Sequence, residues 1–157
     1  LPNRGMAMKY GVFILFAALA SGAFAAEVAV PPVVDISPLP MLGSEWRKTN
    51  PFRELPVAVD IGRSAFNQSC ARCHGTDANP SGAPAPDLRQ LERGCRRIGD
   101  AEIKARCMAD NDTYFSKSVR EGKIIVGVTH MPPWKSVLSQ EIVWSIQAFI
   151  ESRRPGL

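Results

Sequence analysis

The sequence predicts an all-α domain, and three observations support this fold class. The run Cys70-Ala71-Arg72-Cys73-His74 brings two thiols and an imidazole together at a point where a helix can end. Residues 139–153 carry an apolar stripe at helical spacing, and no βαβ pattern surrounds the paired cysteines. With 157 residues, including 12 Gly and 13 Pro, the chain has room for one small domain with many loops.

The first 25 residues predict an export signal. Arg4 and Lys9 give this segment a basic start, residues 11–20 are apolar, and Ala23-Phe24-Ala25 is typical of a cleavage site. The apolar run is short for a membrane-spanning helix. We therefore expect cleavage before Ala26 and no stable membrane insertion afterwards. Retention of the segment as an N-terminal anchor is the alternative.

Export predicts a periplasmic protein, and the charge of the mature chain argues against one class of partner. Met6 or Met8 is a more natural start than Leu1, so the leading residues are treated as non-native. Loss of residues 1–25 leaves 17 basic and 15 acidic side chains, a net charge of +2. A nearly neutral domain gives no reason to expect nucleic-acid binding. We expect a monomer.

Residues 26–58 form a proline-rich leader with almost no periodic pattern. Such a segment is expected to be extended, and it either hangs free or wraps around the domain. Because Trp46 and Phe52 each offer a large apolar face, we expect residues 45–55 to pack on the domain and residues 26–42 to stay mobile. The domain itself is predicted to span residues 59–155.

Two helices are predicted at the ends of this domain. Asp60 is a candidate N-cap for a helix that begins at Ile61 and runs into the cysteine motif. Ser139 can cap a second helix that continues to Arg153.

The two helices are expected to cross closely. Gly62 has no side chain to hold the second helix away, and Phe66 lies four residues later on the same face. We expect Phe66 to lie against Phe149 or Ile146 of the last helix.

The cysteine motif predicts covalent attachment of haem c. In a C-x-x-C-H run, the two thiols add to the vinyl groups of the porphyrin and the histidine binds the iron. Here these residues are Cys70, Cys73 and His74. A covalently held haem would also supply the apolar centre that a small, loop-rich domain lacks.

Two other uses of paired cysteines remain open from the sequence. A zinc site would need further ligands, yet the other cysteines, Cys95 and Cys107, have eleven residues between them and the only other histidine is His130. A thioredoxin-like redox pair would need a strand before the motif.

Cys95 and Cys107 are predicted to form a disulfide. Export leads to an oxidising compartment, where a remaining even pair of cysteines usually closes. The disulfide would hold an insertion between Leu88 and Tyr114 in place. Two free thiols are the alternative.

The segment after this insertion contains a cluster of oxygen ligands, Asp110-Asn111-Asp112. Because the spaced ligands and the glycine of a calcium loop are missing, a calcium site is only weakly indicated. Asp112 is better interpreted as the N-cap of a helix over residues 113–121 that ends at Gly122.

The chain resembles the class I cytochromes c at five places: Gly62 with Phe66, the run Cys70–His74, Pro86, Leu88, and Met131-Pro132 before the last helix. The resemblance implies helices wrapped around one covalently bound haem, with crossing N- and C-terminal helices. It also implies that the carbonyl of Pro86 accepts a hydrogen bond from the second ring nitrogen of His74, which orients the ligand and raises its basicity. An ordinary loop proline is the alternative for Pro86.

Met131 is the expected sixth ligand of the iron. A thioether favours ferrous iron, and the prolines that follow stiffen the loop so that the sulfur can stay bound in both oxidation states. Met41 in the leader and Met108 in the insertion are expected to serve packing or the surface. His130 could compete only if the loop slipped, and we expect it to face solvent.

A narrower resemblance covers residues 44–154 and relates the chain to soluble cytochromes c that accept electrons from quinoprotein alcohol dehydrogenases. It rests on Glu45-Trp46-Arg47, residues 49–53, Asn67-Gln68-Ser69, residues 85–88, the insertion between the cysteines, and residues 131–134. The resemblance implies a carrier that takes single electrons from a pyrroloquinoline quinone (PQQ) dehydrogenase and passes them to a downstream cytochrome or terminal oxidase. No enzymatic activity is expected.

Two alternatives belong to other functional classes. A haem enzyme, or a sensor of gases or peroxide, would need a displaceable sixth ligand, and His130 is the only candidate acid or base beside it. A permanent cytochrome subunit of a larger oxidoreductase would use Trp46 and the leader as an interface.

Overall fold

The computed structural model describes residues 29–155, and its helices confirm the predicted all-α class. The predicted signal, residues 1–25, lies outside the described residues. The elements in chain order are α1 (Pro56–Ser69), α2 (Ala71–His74), a 3-10 turn (Thr76–Ala78), a second 3-10 turn (Leu88–Gln90), α3 (Arg93–Arg96), α4 (Ala101–Glu121), β1 (Lys123–Ile125), β2 (Val128–Met131) and α5 (Gln140–Ser152).

The first and last long helices cross, as predicted. A Cβ at Gly62 would overlap the carbonyl oxygen of Ser145, so only glycine permits this separation of α1 and α5. Phe66 and Phe149 meet with their ring centroids 5.4 Å apart. Together with Trp144, whose side chain is fully buried, they lie in the hydrophobic core of the domain. The crossing therefore builds the core beside the cysteine motif.

The predicted start of α1 is wrong. The helix begins at Pro56 and has Leu55 as its N-cap, without a side-chain hydrogen bond; Asp60 lies inside the helix. Proline suits the first helical position because its fixed φ is already helical and the N–H that it lacks would have no partner there. Pro56, and not the carboxylate of Asp60, therefore marks the start of α1.

The predicted helix over residues 113–121 is also too short. Helix α4 begins at Ala101, where the side chain of Asp100 accepts a hydrogen bond from the backbone N–H of Ile103. Gly122 ends it, as predicted, with a φ of +71°. Asp112 is therefore not an N-cap but a buried residue in the middle of a helix of 21 residues.

Asp112 instead holds three elements together. Its carboxylate accepts hydrogen bonds from the guanidinium of Arg53, the amide of Gln147 and the backbone N–H of Asn50, at 2.6–3.0 Å. Both carboxylate oxygens are used in this way, which leaves the weak calcium hypothesis without its central ligand. In the described part of the chain, no three His, Cys, Asp or Glu side chains are grouped so that they could hold a metal ion.

The leader wraps around the domain along all of its described length. The backbone N–H of Val33 lies 2.9 Å from Oε1 of Gln68 in α1, and Leu39 is buried in the core. Trp46 packs on Trp144 with ring centroids 6.4 Å apart. Residues 26–42 were expected to be mobile, but residues 29–42 pack on the domain. The segment has no periodic pattern of side chains, yet its backbone groups still form hydrogen bonds with a helix.

The predicted disulfide between Cys95 and Cys107 is present, with the two Cα atoms 5.5 Å apart. It joins α3 to the first half of α4. The insertion is therefore fastened covalently, with the short helix α3 tied to the long helix α4.

A two-stranded antiparallel hairpin, β1 with β2, was not predicted. Its residues Ile124, Ile125, Val126 and Val128 are exposed, so no buried face produced a recognisable alternation. Met131 is the last residue of β2. None of the helices between residues 29 and 155 combines the length and apolar character needed to cross a bilayer.

Candidate haem-binding site

The two cysteines of the motif lie on one tight helical turn. Helix α1 ends at Ser69, and the backbone N–H groups of Cys73 and His74 both donate to the carbonyl of Cys70, at 3.1 and 3.0 Å. Neither Cys70 nor Cys73 is in a disulfide. Burial raises the pKa of the Cys70 thiol to about 12, with a smaller contribution from Cys73. A redox-active cysteine pair would need a stabilised thiolate, whereas burial at Cys70 disfavours the thiolate.

His74 is oriented by the carbonyl of Pro86, as the resemblance implied. Nδ1 of His74 lies 3.2 Å from the oxygen of Pro86. A carbonyl can only accept, so this hydrogen bond puts the ring proton on Nδ1 and leaves the lone pair of Nε2 available for a metal. Burial also lowers the pKa of His74, which favours the neutral ring that a metal requires.

The loop after His74 is braced by residues that the sequence reasoning missed. Gly75 has a φ of +83°, and a Cβ there would overlap the carbonyl oxygen of Asn79. Asp77 accepts two hydrogen bonds of 2.8 Å from Arg63 and one of 2.7 Å from the side chain of Asn67. The glycine directly after the motif was a signal that could have predicted the turn, whereas the Asp77 brace depends on contacts across the fold.

Met131 and the cysteine motif border the same hydrophobic core. Cys70, Leu88 and Met131 are all partly buried side chains packed against that core. His130 is exposed, in agreement with the expectation that it faces solvent. Met41 is 77% exposed, which agrees with the surface role expected for it.

The donor set suits haem c better than it suits zinc. The thiol of Cys70 and the thioether of Met131 border one apolar cluster, and the second thiol, Cys73, and the imidazole of His74, with Nε2 available, follow Cys70 on the same helical turn. Thioethers and an apolar surround are features of haem centres, whereas a structural zinc site needs four closely set nitrogen or sulfur ligands. Cys95 and Cys107 are in a disulfide and cannot complete such a set.

The chain is similar to proteins of known kinds. A family model described as cytochrome c oxidase, cbb3-type, subunit III matches residues 57–150. Cytochrome c550 of Pseudomonas aeruginosa is 39% identical over 153 residues, which cover 95% of this chain and 92% of that protein. The crystal structure of cytochrome cL from the marine methylotrophic bacterium Methylophaga aminisulfidivorans aligns with a TM-score of 0.46 at 16% identity, over 82% of each chain.

Proposed function

Because this chain belongs to the cytochrome c family and carries a covalently bound haem c, we propose that it is a periplasmic single-electron carrier without a substrate of its own. The observation that carries the proposal is the hydrogen bond from His74 to the carbonyl of Pro86, which prepares the ring as a fixed ligand. The predicted export signal and the disulfide between Cys95 and Cys107 support an oxidising compartment.

Cys70 and Cys73 would hold the porphyrin through thioether bonds, and His74 and Met131 would bind the iron. The haem would supply one-electron redox chemistry at this site. His74 is held by Pro86, and Met131 by a loop stiffened by Pro132 and Pro133. Ligands that keep their places in both oxidation states make electron transfer fast and reversible.

The donor that we propose is a PQQ-dependent alcohol dehydrogenase, with a downstream cytochrome or terminal oxidase as acceptor. The resemblance that suggests this donor rests on the leader and the insertion. Both are built into the fold, the leader by the contact of Trp46 with Trp144 and the insertion by its disulfide. They are therefore available to form part of a fixed docking surface, which in transient redox pairs is small.

The first test is the absorption spectrum of the exported, purified protein, oxidised and reduced, with and without carbon monoxide. We expect a low-spin haem c with a methionine–iron charge-transfer band and no response to carbon monoxide. Ready binding of carbon monoxide would contradict a closed centre and would favour the haem enzyme or sensor.

The second test concerns the partner. An alcohol-reduced PQQ dehydrogenase should reduce the oxidised protein in stopped-flow mixing, at a rate that is first order in the dehydrogenase. The control is the same dehydrogenase without alcohol, which has no electrons to transfer. Stable co-purification with a larger oxidoreductase, in place of transient reduction, would favour the permanent-subunit alternative.

A further inference from the structure

At Gly122, the backbone of residues 131–133 passes close to the end of α4. A Cβ at Gly122 would overlap the carbonyl oxygen of Met131 and would lie 2.8 Å from both the carbonyl carbon of Pro132 and the nitrogen of Pro133. All three atoms are backbone atoms, so the overlap cannot be relieved by turning a side chain. The loop occupies the space that the missing side chain leaves.

The backbone at Gly122 also has a conformation that other residues avoid. Its φ of +71° and ψ of −165° fall in a region that is essentially restricted to glycine. The same residue ends α4, with its N–H donating to the carbonyl of Ser118 at 2.9 Å. Gly122 thus sets both the direction in which the chain leaves α4 and the room left for the loop that returns.

Two backbone hydrogen bonds fasten the returning loop to α4. The N–H of Trp134 donates to the carbonyl of Val119 at 3.0 Å, and the N–H of Lys135 donates to that of Arg120 at 3.2 Å. Trp134 is itself buried. The segment around Met131 is therefore held at two places: residues 134 and 135, which follow it, bind α4, and β2, which ends with it, pairs with β1.

The end of α4 is not free to move away from the loop. The guanidinium of Arg120 lies 4.5 Å from the ring centroid of Trp46, which packs in turn on Trp144 of α5. Pro132 and Pro133 restrict the loop on the other side. The end of α4 and the two prolines are therefore both restrained. A side chain at position 122 would thus displace Met131, which lies between them in the chain.

We propose that Gly122 is a positioning residue that keeps Met131 in the place from which it would bind the haem iron together with His74. This inference rests on the proposed function, in which Met131 is the sixth ligand. Gly122 acts through the backbone of residues 131–133.

The test compares Gly122→Ala with Gly127→Ala in the exported holoprotein. Gly127, at the tip of the same hairpin, has a φ of +77° but no atom within 4 Å of a Cβ. Both variants introduce alanine at a positive φ, but only Gly122→Ala adds the overlap. In Gly122→Ala we expect the methionine-dissociated fraction, measured by carbon monoxide binding, to rise about tenfold or more, with a weaker charge-transfer band. Gly127→Ala should keep the parent spectrum.

A cycle with Met131→Ala separates positioning from general stability. If Gly122 acts through Met131, adding Gly122→Ala to Met131→Ala should leave the reduction potential and carbon monoxide binding of the single Met131→Ala variant unchanged. An equal effect in both backgrounds would overturn the inference. So would failure of Gly122→Ala to give folded holoprotein, because the residue would then serve the fold in general.

The same cycle distinguishes the assignment of Met131 as a ligand from the positioning role of Gly122. If Met131→Ala keeps the parent spectrum, Met131 is not the ligand and the proposed closed centre fails. If Met131→Ala opens the site while Gly122→Ala behaves like Gly127→Ala, the ligand assignment stands and only the positioning role is overturned.

Discussion

Arg53, just before α1, and Asp112, in the middle of α4, form an ion pair with Nη2 of Arg53 2.6 Å from Oδ1 of Asp112. The side chain of Asp112 is fully buried, whereas that of Arg53 is 29% exposed. Arg53 also binds Glu151 of α5, and Glu151 binds Arg154. One buried carboxylate therefore fastens the leader to two helices of the domain.

Replacing Asp112 by asparagine should destabilise the protein by about 2–3 kcal/mol, because it removes one of the two carboxylates that pair with Arg53 and leaves buried donors without a charged acceptor. Arg53, Gln147 and the N–H of Asn50 would compete for one neutral oxygen. Urea unfolding measures the change, and Asp110→Asn, at an exposed position of the same helix, is the control. A cost below about 1 kcal/mol would mean that the network adds little.

Gly62→Ala should separate α1 from α5 and cost about 1–3 kcal/mol, since the added methyl overlaps the backbone of Ser145. Gly94→Ala is the matched control, because it lies in helix α3 with no atom within 4 Å of its Cβ. There, alanine should stabilise slightly by restricting the unfolded chain. Thermal unfolding of both variants measures the difference, and equal midpoints would contradict the close crossing.

Replacing Cys95 and Cys107 together by serine should lower the free energy of unfolding by about 3 kcal/mol, the amount expected for a closed loop of this length. The methionine–iron band should stay, because the insertion is joined to α4 and not to the cysteine motif. Guanidinium unfolding, followed by haem absorbance, measures both quantities. Loss of the band along with the stability would show that the insertion also shapes the haem site.

The brace at Asp77 should make stability depend on pH in the acid range. Hydrogen bonds from Arg63 and Asn67 hold the pKa of Asp77 well below its usual value of 3.8. A carboxylate whose pKa is lowered on folding stabilises the protein above the unfolded-state pKa, and this stabilisation is lost as pH falls through the folded value.

The stability difference between the parent protein and Asp77→Asn should therefore be constant above about pH 5 and shrink below pH 3.8. Unfolding midpoints measured from pH 2 to 7 test this expectation. Arg63→Gln should weaken the same dependence, since it removes the main partner of Asp77. A difference that does not change with pH would exclude the ion pair as its source.

Predictions from the sequence succeeded where the signal was local. The helix capped by Ser139 and the glycine that ends α4 at residue 122 each follow from residues a few positions apart on one element. The contact of Phe66 with Phe149 follows from the local spacing on each of two helices. The predicted pairing of Cys95 with Cys107 was also correct, because few other partners exist. The start of α1 was missed because Asp60 offered a capping side chain close to a better start, Pro56.

The Asp112 prediction was wrong for a different reason. An aspartate is a typical N-cap residue, and nothing nearby reveals that Arg53 will form an ion pair with it, and Gln147 a hydrogen bond, inside a longer helix. The exposed hairpin over residues 123–131 was missed as well, since a strand without a buried face lacks the usual alternation.

By itself, the sequence determined the chemistry of this protein. Cys70, Cys73 and His74 lie within five residues of the chain, and their spacing predicts covalent haem attachment. The tertiary structure decided how that chemistry is held: Pro86 against His74, Gly122 beneath the Met131 loop, and Arg53 against Asp112. These contacts join residues from 9 to 59 positions apart. Such pairs form only when the helices pack, because the burial that makes them specific does not exist in the unfolded chain.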